Sequence, residues 1–167
     1  MGVVTVKSGA ITARDSSPRS FANASAQGGI PRAFAGVAAI TSGDSIGSKY
    51  LLGQVPSNAR MHELKIYSPD LGTTTVTDVG LYKNTADGGA AVDADFFASA
   101  LSLKDGALNG VDILHQSGYY AISEGEQMIW QALGLSSDPG LVYDIVATLT
   151  AACDGTGTVK LSGLYVV

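Results

Sequence analysis

The chain has 167 residues, a length that suits one domain with a single core. Apolar residues make up 46% of the chain and charged residues only 15%, which excludes a charge-rich disordered protein, a coiled coil and a bundle of long helices. The net charge of −5 argues against nucleic acid as the main partner, and no apolar run approaches the roughly 18 residues that cross a bilayer. We therefore expect no nucleic-acid partner, no membrane segment and no secretory signal.

Positive charge is concentrated in the first 32 residues, which contain four basic residues and one acidic residue. Residues 33–167 contain six basic and fourteen acidic residues. Residues 16–29 are small and polar without a helical or strand period, so this stretch cannot bury enough apolar area to offset its ordering entropy. We predict an extended N-terminal arm over residues 1–32 that orders on an acidic partner surface, with a floppy terminus as the alternative. Residues 3–6 could supply a short strand.

Residues 33–167 predict a single all-β domain. Short apolar or alternating runs recur along it, separated by Gly, Pro, Asn or Asp. Strands are predicted at 33–41, 48–55, 60–68, 74–82, 94–101, 127–133, 141–151 and 158–166. Eight strands with one long crossing connection predict an antiparallel two-sheet β-sandwich of the jelly-roll type, and an immunoglobulin-like sandwich is the nearest alternative.

Two local details of this domain are also predicted. Alternation over residues 60–68 places His62, Leu64 and Ile66 on one buried face of the third strand. Residues 105–117 weakly indicate a helical turn within the long connection between the fifth and sixth strands.

The catalytic and metal-binding motifs in the sequence are weak. Residues 43–47 (GDSIG) match the nucleophile elbow of hydrolases, but strand-like residues follow Ser45 where that elbow needs a helix, so a hairpin loop is predicted. The two histidines, His62 and His115, lie far apart in sequence, and the single Cys153 excludes a disulfide framework. We expect no enzyme activity, no metal site and no cofactor.

Two pairs of acidic residues lie in or next to predicted loops. Asp93 and Asp95 lack the spacing of a calcium-binding loop, and Glu124 and Glu126 lack a cleft that would hold them as an acid/base pair. Both pairs are therefore interpreted as solvated carboxylates.

Four short motifs carry a resemblance to a known class of proteins. They are residues 55–60 (VPSNAR), 64–67 (LKIY), 78–82 (DVGLY) and 95–98 (DFFA). Together they resemble small virion structural proteins of tailed bacteriophages, in particular head decoration proteins (also called cement or auxiliary proteins) with jelly-roll bodies. The likeness covers about residues 46–101 and lies in strand and turn motifs, so it brings no catalytic residue with it.

The resemblance implies a non-enzymatic protein on the outer surface of a phage head, made in the cytoplasm of the bacterial host. It implies binding to the major capsid protein, bridging of neighbouring capsid subunits, and a homo-oligomer (dimer or trimer) at capsid symmetry axes. Together with the charge pattern, it predicts that the basic arm lies on acidic capsid surface. The predicted capsid-binding residues are cations and large apolar side chains of the arm: Lys7, Arg14, Arg19, Phe21, Ile30 and Arg32.

Two alternatives belong to other functional classes. A receptor- or glycan-binding jelly-roll domain of a phage tail fibre or spike would expose Tyr50, Tyr119, Tyr120 or Trp130 in one groove. Aromatic side chains in a sandwich with few other large residues are, however, more often part of the core. A hydrolase that uses Ser45 is the least supported alternative.

Overall fold

The computed structural model describes residues 6–20, 28–104 and 106–167, and its dominant feature is eight antiparallel strands. They form two four-stranded sheets, ordered β1-β8-β3-β6 and β2-β7-β4-β5. Apart from β4 and β5, every pair of consecutive strands lies in opposite sheets, the winding of a jelly roll. The elements are α1 (Gly9–Asp15), β1 (Arg32–Ile40), β2 (Lys49–Pro56), β3 (Arg60–Ser68), β4 (Val76–Lys83), β5 (Ala91–Ser102), β6 (Leu108–Asp112), α2 (Ile129–Ala132), β7 (Val142–Leu149) and β8 (Gly157–Val166). The all-β sandwich prediction is confirmed.

The core lies between the sheets, where alternation along the strands makes the inward faces largely apolar. Val79 and Leu81 of β4 and Ile145 and Leu149 of β7 are fully buried, as the alternation predicts. Arg60 is the one charged residue buried in the part of the chain that the structure describes. Within the same described ranges, no helix is both long enough and apolar enough to span a bilayer.

One predicted strand is wrong and one observed strand was not predicted. Residues 127–133 contain the short helix α2, whose first amides donate to the carbonyl groups of Ala59 and Ser57 in the β2–β3 turn. A short apolar run does not by itself distinguish a strand from a buried helical turn. The strand that was not predicted is β6, which replaces residues 127–133 in the count of eight. It lies within residues 105–117, the stretch that predicts a helical turn. It is only five residues long and pairs with the end of β3.

The predicted burial of His62 is also wrong. The pairing of β3 with β8 shifts register between Met61 and Glu63, so His62 is the extra residue of a β-bulge. The bulge moves His62 to the exposed side and places Met61 in the core, whereas Leu64 and Ile66 are buried as predicted.

The arm that is predicted to be extended over residues 1–32 contains a helix in its described part. Residues 9–15 form the helix α1, and β1 begins at Arg32. Residues 1–5 and 21–27 lie outside the described residues, and with them most of the strand predicted at 3–6.

Candidate functional site

The candidate binding segment is the N-terminal leader, defined here as residues 1–32, the last of which is also the first residue of β1. Its helix α1 is capped by Ser8: the Ser8 Oγ accepts from the Ile11 amide at 3.4 Å, and the Ser8 carbonyl accepts the first helical hydrogen bond, from the Thr12 amide, at 2.9 Å. At the other end, the Ser16 hydroxyl donates to the Ala13 carbonyl at 2.8 Å and accepts from the Ser20 amide. These local bonds close the helix without any buried side chain of α1.

Asp15 neutralises part of the positive charge of the leader. Its carboxylate accepts from the Arg14 Nε at 2.8 Å and from the Lys7 Nζ at 3.0 Å. The bonds from Arg14 and then Lys7 hold the pKa of Asp15 below its usual range, so the carboxylate is charged at neutral pH. Two of the four cations predicted to bind a partner are therefore paired within the leader itself.

The other predicted binding residues are oriented toward solvent or lie outside the described ranges. Arg19 and Arg32 are exposed, and Ile30 is 83% exposed. Phe21 belongs to the residues that the structure does not describe. Of the five predicted residues that the structure describes, Lys7 and Arg14 meet at the Asp15 carboxylate, and Arg19, Ile30 and Arg32 follow further along the leader.

A contact between the leader and the sandwich involves Gly9, at the start of α1. The Glu126 carboxylate approaches so closely that a Cβ at Gly9 would lie 2.8 Å from its Oε2. The negative carboxylate thus lies beside the first residue of the helix, the end at which the helix dipole favours negative charge. Since α1 buries no side chain, this contact does not make the helix part of the core of the sandwich.

The four aromatic residues of the glycan-binding alternative differ in how deeply they are buried. Tyr120 is fully buried, with its ring stacked at 5.4 Å on Phe96, so it cannot line an exposed groove. Burial raises the pKa of Tyr120 to about 12. Tyr50 is half-buried and donates its hydroxyl to Asp44 at 2.7 Å, and Trp130 is also half-buried. Of the four, Tyr119 is the exposed one.

The remaining polar candidates have local structural partners. His115 donates from Nδ1 to the Tyr120 carbonyl at 2.7 Å, and its ring stacks on the Tyr120 ring. Ser45 lies in the β1–β2 turn and is followed by a strand, not by the helix of a nucleophile elbow. Burial, and then a hydrogen bond with Asp95, raise the pKa of Asp93. Within residues 6–20, 28–104 and 106–167, no three or more His, Cys, Asp or Glu side chains are grouped as metal ligands would be.

A shallow groove between β1 and β2 was not predicted from the sequence. It has a volume of about 340 Å³ and is lined by Phe34 and Ala35 from β1, by residues of β2 that include Leu51 and Gly53, and by Asp144. Leu51 is 58% exposed. The sequence feature that indicates such a groove is that residues 33–40 (AFAGVAAI) are apolar on both faces, which is unusual for a strand with one solvated face.

Comparison with known proteins finds similarity in fold. No family model matches the sequence, and no curated protein matches it. Among solved structures, a chain of the capsid asymmetric unit of cyanophage Pam1 is similar, with a TM-score of 0.50 over 83% of this chain and 86% of that chain. The two sequences are 11% identical. The likeness is one of fold.

Proposed function

We propose that this chain is a non-enzymatic virion structural protein that binds the outside of a tailed-phage head and bridges neighbouring capsid subunits. The observation that carries the proposal is the similarity of fold, over most of both chains, to a chain from a phage capsid asymmetric unit. The strand and turn motifs of residues 55–98, which resemble those of head decoration proteins, support the same class.

The leader is the proposed attachment segment, through Lys7, Arg14, Arg19, Phe21, Ile30 and Arg32. Two observations support this role. Arg19, Ile30 and Arg32 are exposed, and α1 contributes nothing to the core, so binding a partner would not cost the sandwich its packing. A segment of this kind buries a large area per residue when it orders on a surface, although it must offset its own ordering entropy.

The distribution of charge indicates how the protein would be oriented on the capsid surface. The leader is basic and the sandwich is acidic, so an acidic capsid surface would attract the first and repel the second. The sandwich would then stand away from the shell while the leader lies along it. Attraction between exposed charges weakens with salt, so binding to heads should weaken as ionic strength rises.

The experiment that tests the proposal is deletion of residues 1–29, with occupancy measured on phage heads that lack this protein. Core residues of the sandwich begin at Ile40, so the shortened chain should keep its fold. We expect occupancy to fall strongly. Full-length protein that does not bind heads would contradict the proposed function, and unchanged occupancy of the shortened chain would contradict the role of the leader.

Point variants test whether binding to heads depends on the positive charge of the leader and not only on its length. Arg19→Glu reverses one exposed cation of the leader, and Lys104→Glu makes the same change at a lysine of the sandwich. We expect Arg19→Glu to weaken binding to heads by several-fold and Lys104→Glu to leave it unchanged. Equal effects of the two variants would indicate a response to net charge alone.

A further inference from the structure

The feature that carries a further inference is the free edge of β1. In the first sheet β1 is the outermost strand, and over its full length of nine residues it pairs with β8 without a register shift. Among the residues that the structure describes, no strand pairs with the other side of β1. Such an edge presents a row of backbone donors and acceptors to any other extended chain.

The side chains on the outer face of β1 do not protect that edge. The outward residues are Ala33, Ala35, Val37 and Ala39, and Val37 is 66% exposed. No charge and no proline occurs between residues 33 and 40. Lys, Pro, bulges and short length are the usual devices that prevent edge pairing, and β1 has none of them after its first residue, Arg32, which follows Pro31.

The other three edge strands of the sandwich have such devices. Strand β6 is only five residues long and pairs with β3 across a register shift. Strand β5 pairs with β4 across three register shifts and carries Asp93 and Asp95. Strand β2 begins at Lys49, ends at Pro56 and is interrupted by a register shift. The contrast marks β1 as the edge that is open for pairing.

The charges at the two ends of β1 indicate what pairs with it. Arg32 is the first residue of the strand and is exposed. At the other end, the Asp44 carboxylate accepts from the Thr41 amide at 2.9 Å, directly after the last strand residue. Bonds from the Tyr50 hydroxyl and the Thr41 amide lower the pKa of Asp44, so it is charged at neutral pH. The strand is therefore positive at its start, neutral along its length and negative at its end.

We propose that β1 pairs antiparallel with β1 of a second copy of this chain. Full overlap of the two strands places Gly36 opposite Gly36, and each Arg32 opposite Ile40 of the other copy, next to the Thr41–Asp44 turn. The outward pairs in this register are Ala33 with Ala39 and Ala35 with Val37, all of them apolar. The first sheets of the two copies then join into one eight-stranded sheet, which removes both free edges.

The test is the oligomeric state of the full chain in the absence of phage heads, measured by sedimentation. We expect a dimer, and we expect Val37→Lys to raise its dissociation constant at least about tenfold because the variant places two cations against the paired edge. The matched control is Ile122→Lys, at a residue that is 82% exposed and lies far from β1 in sequence. Since both sites are exposed, circular dichroism and thermal unfolding should remain near those of the unchanged chain.

Cysteine pairs test the register. Opposite residues of paired strands have Cβ atoms about 4.5–5.5 Å apart, close to the distance that a disulfide needs. A mixture of Ala35→Cys and Val37→Cys chains should cross-link before either variant does alone. The native Cys153 is buried and should not interfere.

The inference is independent of the proposed function, because the measurement needs no capsid. Arg19→Glu, which tests the leader, should leave the dimer unchanged, whereas Arg32→Glu should weaken it. A monomer at every concentration up to about 1 mM, or a dimer that Val37→Lys leaves intact, overturns the proposal. A chain that stays monomeric and pairs β1 only with an extended capsid segment also overturns it.

Discussion

At the scale of single residues, the absence of a side chain at Gly36 fixes how the two sheets meet. Gly36 is on the inward face of β1, and a Cβ there would overlap the backbone carbonyl of Leu52 on β2. Gly53 similarly makes room for the ring of Phe34. Edge strands of the two sheets therefore approach each other backbone to backbone on this side of the sandwich.

This contact predicts that Gly36→Ala destabilises the sandwich by about 1–3 kcal/mol, because backbone atoms must shift to admit the methyl group. The measurement is the free energy of unfolding in urea. Gly125→Ala is the control, since the backbone there is helical and the nearest atom to a new Cβ is 3.3 Å away. Equal stability of the Gly36 and Gly125 variants would show that β1 and β2 are not held this closely.

Asp154 joins two loops at one end of the sandwich. Its carboxylate accepts from the Thr73 amide at 3.0 Å, the Thr73 hydroxyl at 2.7 Å and the Thr74 amide at 3.1 Å. These bonds, with the Thr73 amide first, hold the pKa of Asp154 far below its usual range. The β3–β4 and β7–β8 connections are thus linked by one charged group.

The lowered pKa of Asp154 predicts how the stability of the protein depends on pH. An unfolded Asp has a pKa of about 3.9, so the stabilisation is complete above that pH and is lost as the pH falls toward the lower folded value. Asp154→Asn should lower the unfolding temperature at pH 7 and reduce its further fall between about pH 5 and pH 2. Asp70→Asn, in the β3–β4 connection and with one amide bond from Gly72, should have a smaller effect. An unchanged acid profile in the Asp154 variant would contradict this assignment.

At the scale of elements, strands with two distinct faces were predictable and short elements were not. Alternation in β4 and β7 fixes which side is buried, because a shift by one residue would expose the whole apolar set. Helix α2 depends instead on carbonyl groups of Ala59 and Ser57, far away in sequence, that accept its first amides. Likewise, the bulge at His62 depends on the pairing with β8. Neither partner is visible in the local sequence.

In the leader, too, some features of the candidate site follow from the sequence and others depend on the fold. Its positive charge and weak core contribution follow from composition, since small polar residues cannot form a packed face. The ion pairs of Arg14 and Lys7 with Asp15 depend on the fold of the segment, because the turn of α1 brings the Lys7 Nζ to 3.0 Å from the Asp15 Oδ2. The basic residues available to a partner therefore differ from those that a count of charges suggests.

Asp15→Asn tests how the leader presents its charge. The variant releases Arg14 and Lys7 and raises the net charge of the leader by one. If an acidic surface is the partner, binding to heads should become tighter by several-fold at low salt, and the gain should disappear at high salt. The measurement is a binding isotherm on heads at two ionic strengths. Weaker binding at low salt would show that the ion pairs themselves shape the bound leader.

At the scale of the whole molecule, the chain combines two parts with opposite charge and different kinds of stability. The sandwich has its own core and an acidic surface, and the leader has a basic character and no buried side chain in its helix. A structure of this kind can attach through one part without disturbing the other. The open edge of β1 would add contacts between copies, and Arg32, the first residue of β1, is the one residue that both proposed roles use.

The most direct test of the virion role is a cryo-EM map of phage heads assembled with this protein, compared with heads that lack it. We expect additional density for the sandwich outside the shell, in hundreds of copies per head, with the leader lying along capsid protein. Density confined to the tail, or a leader folded onto its own sandwich without touching the capsid, would contradict it.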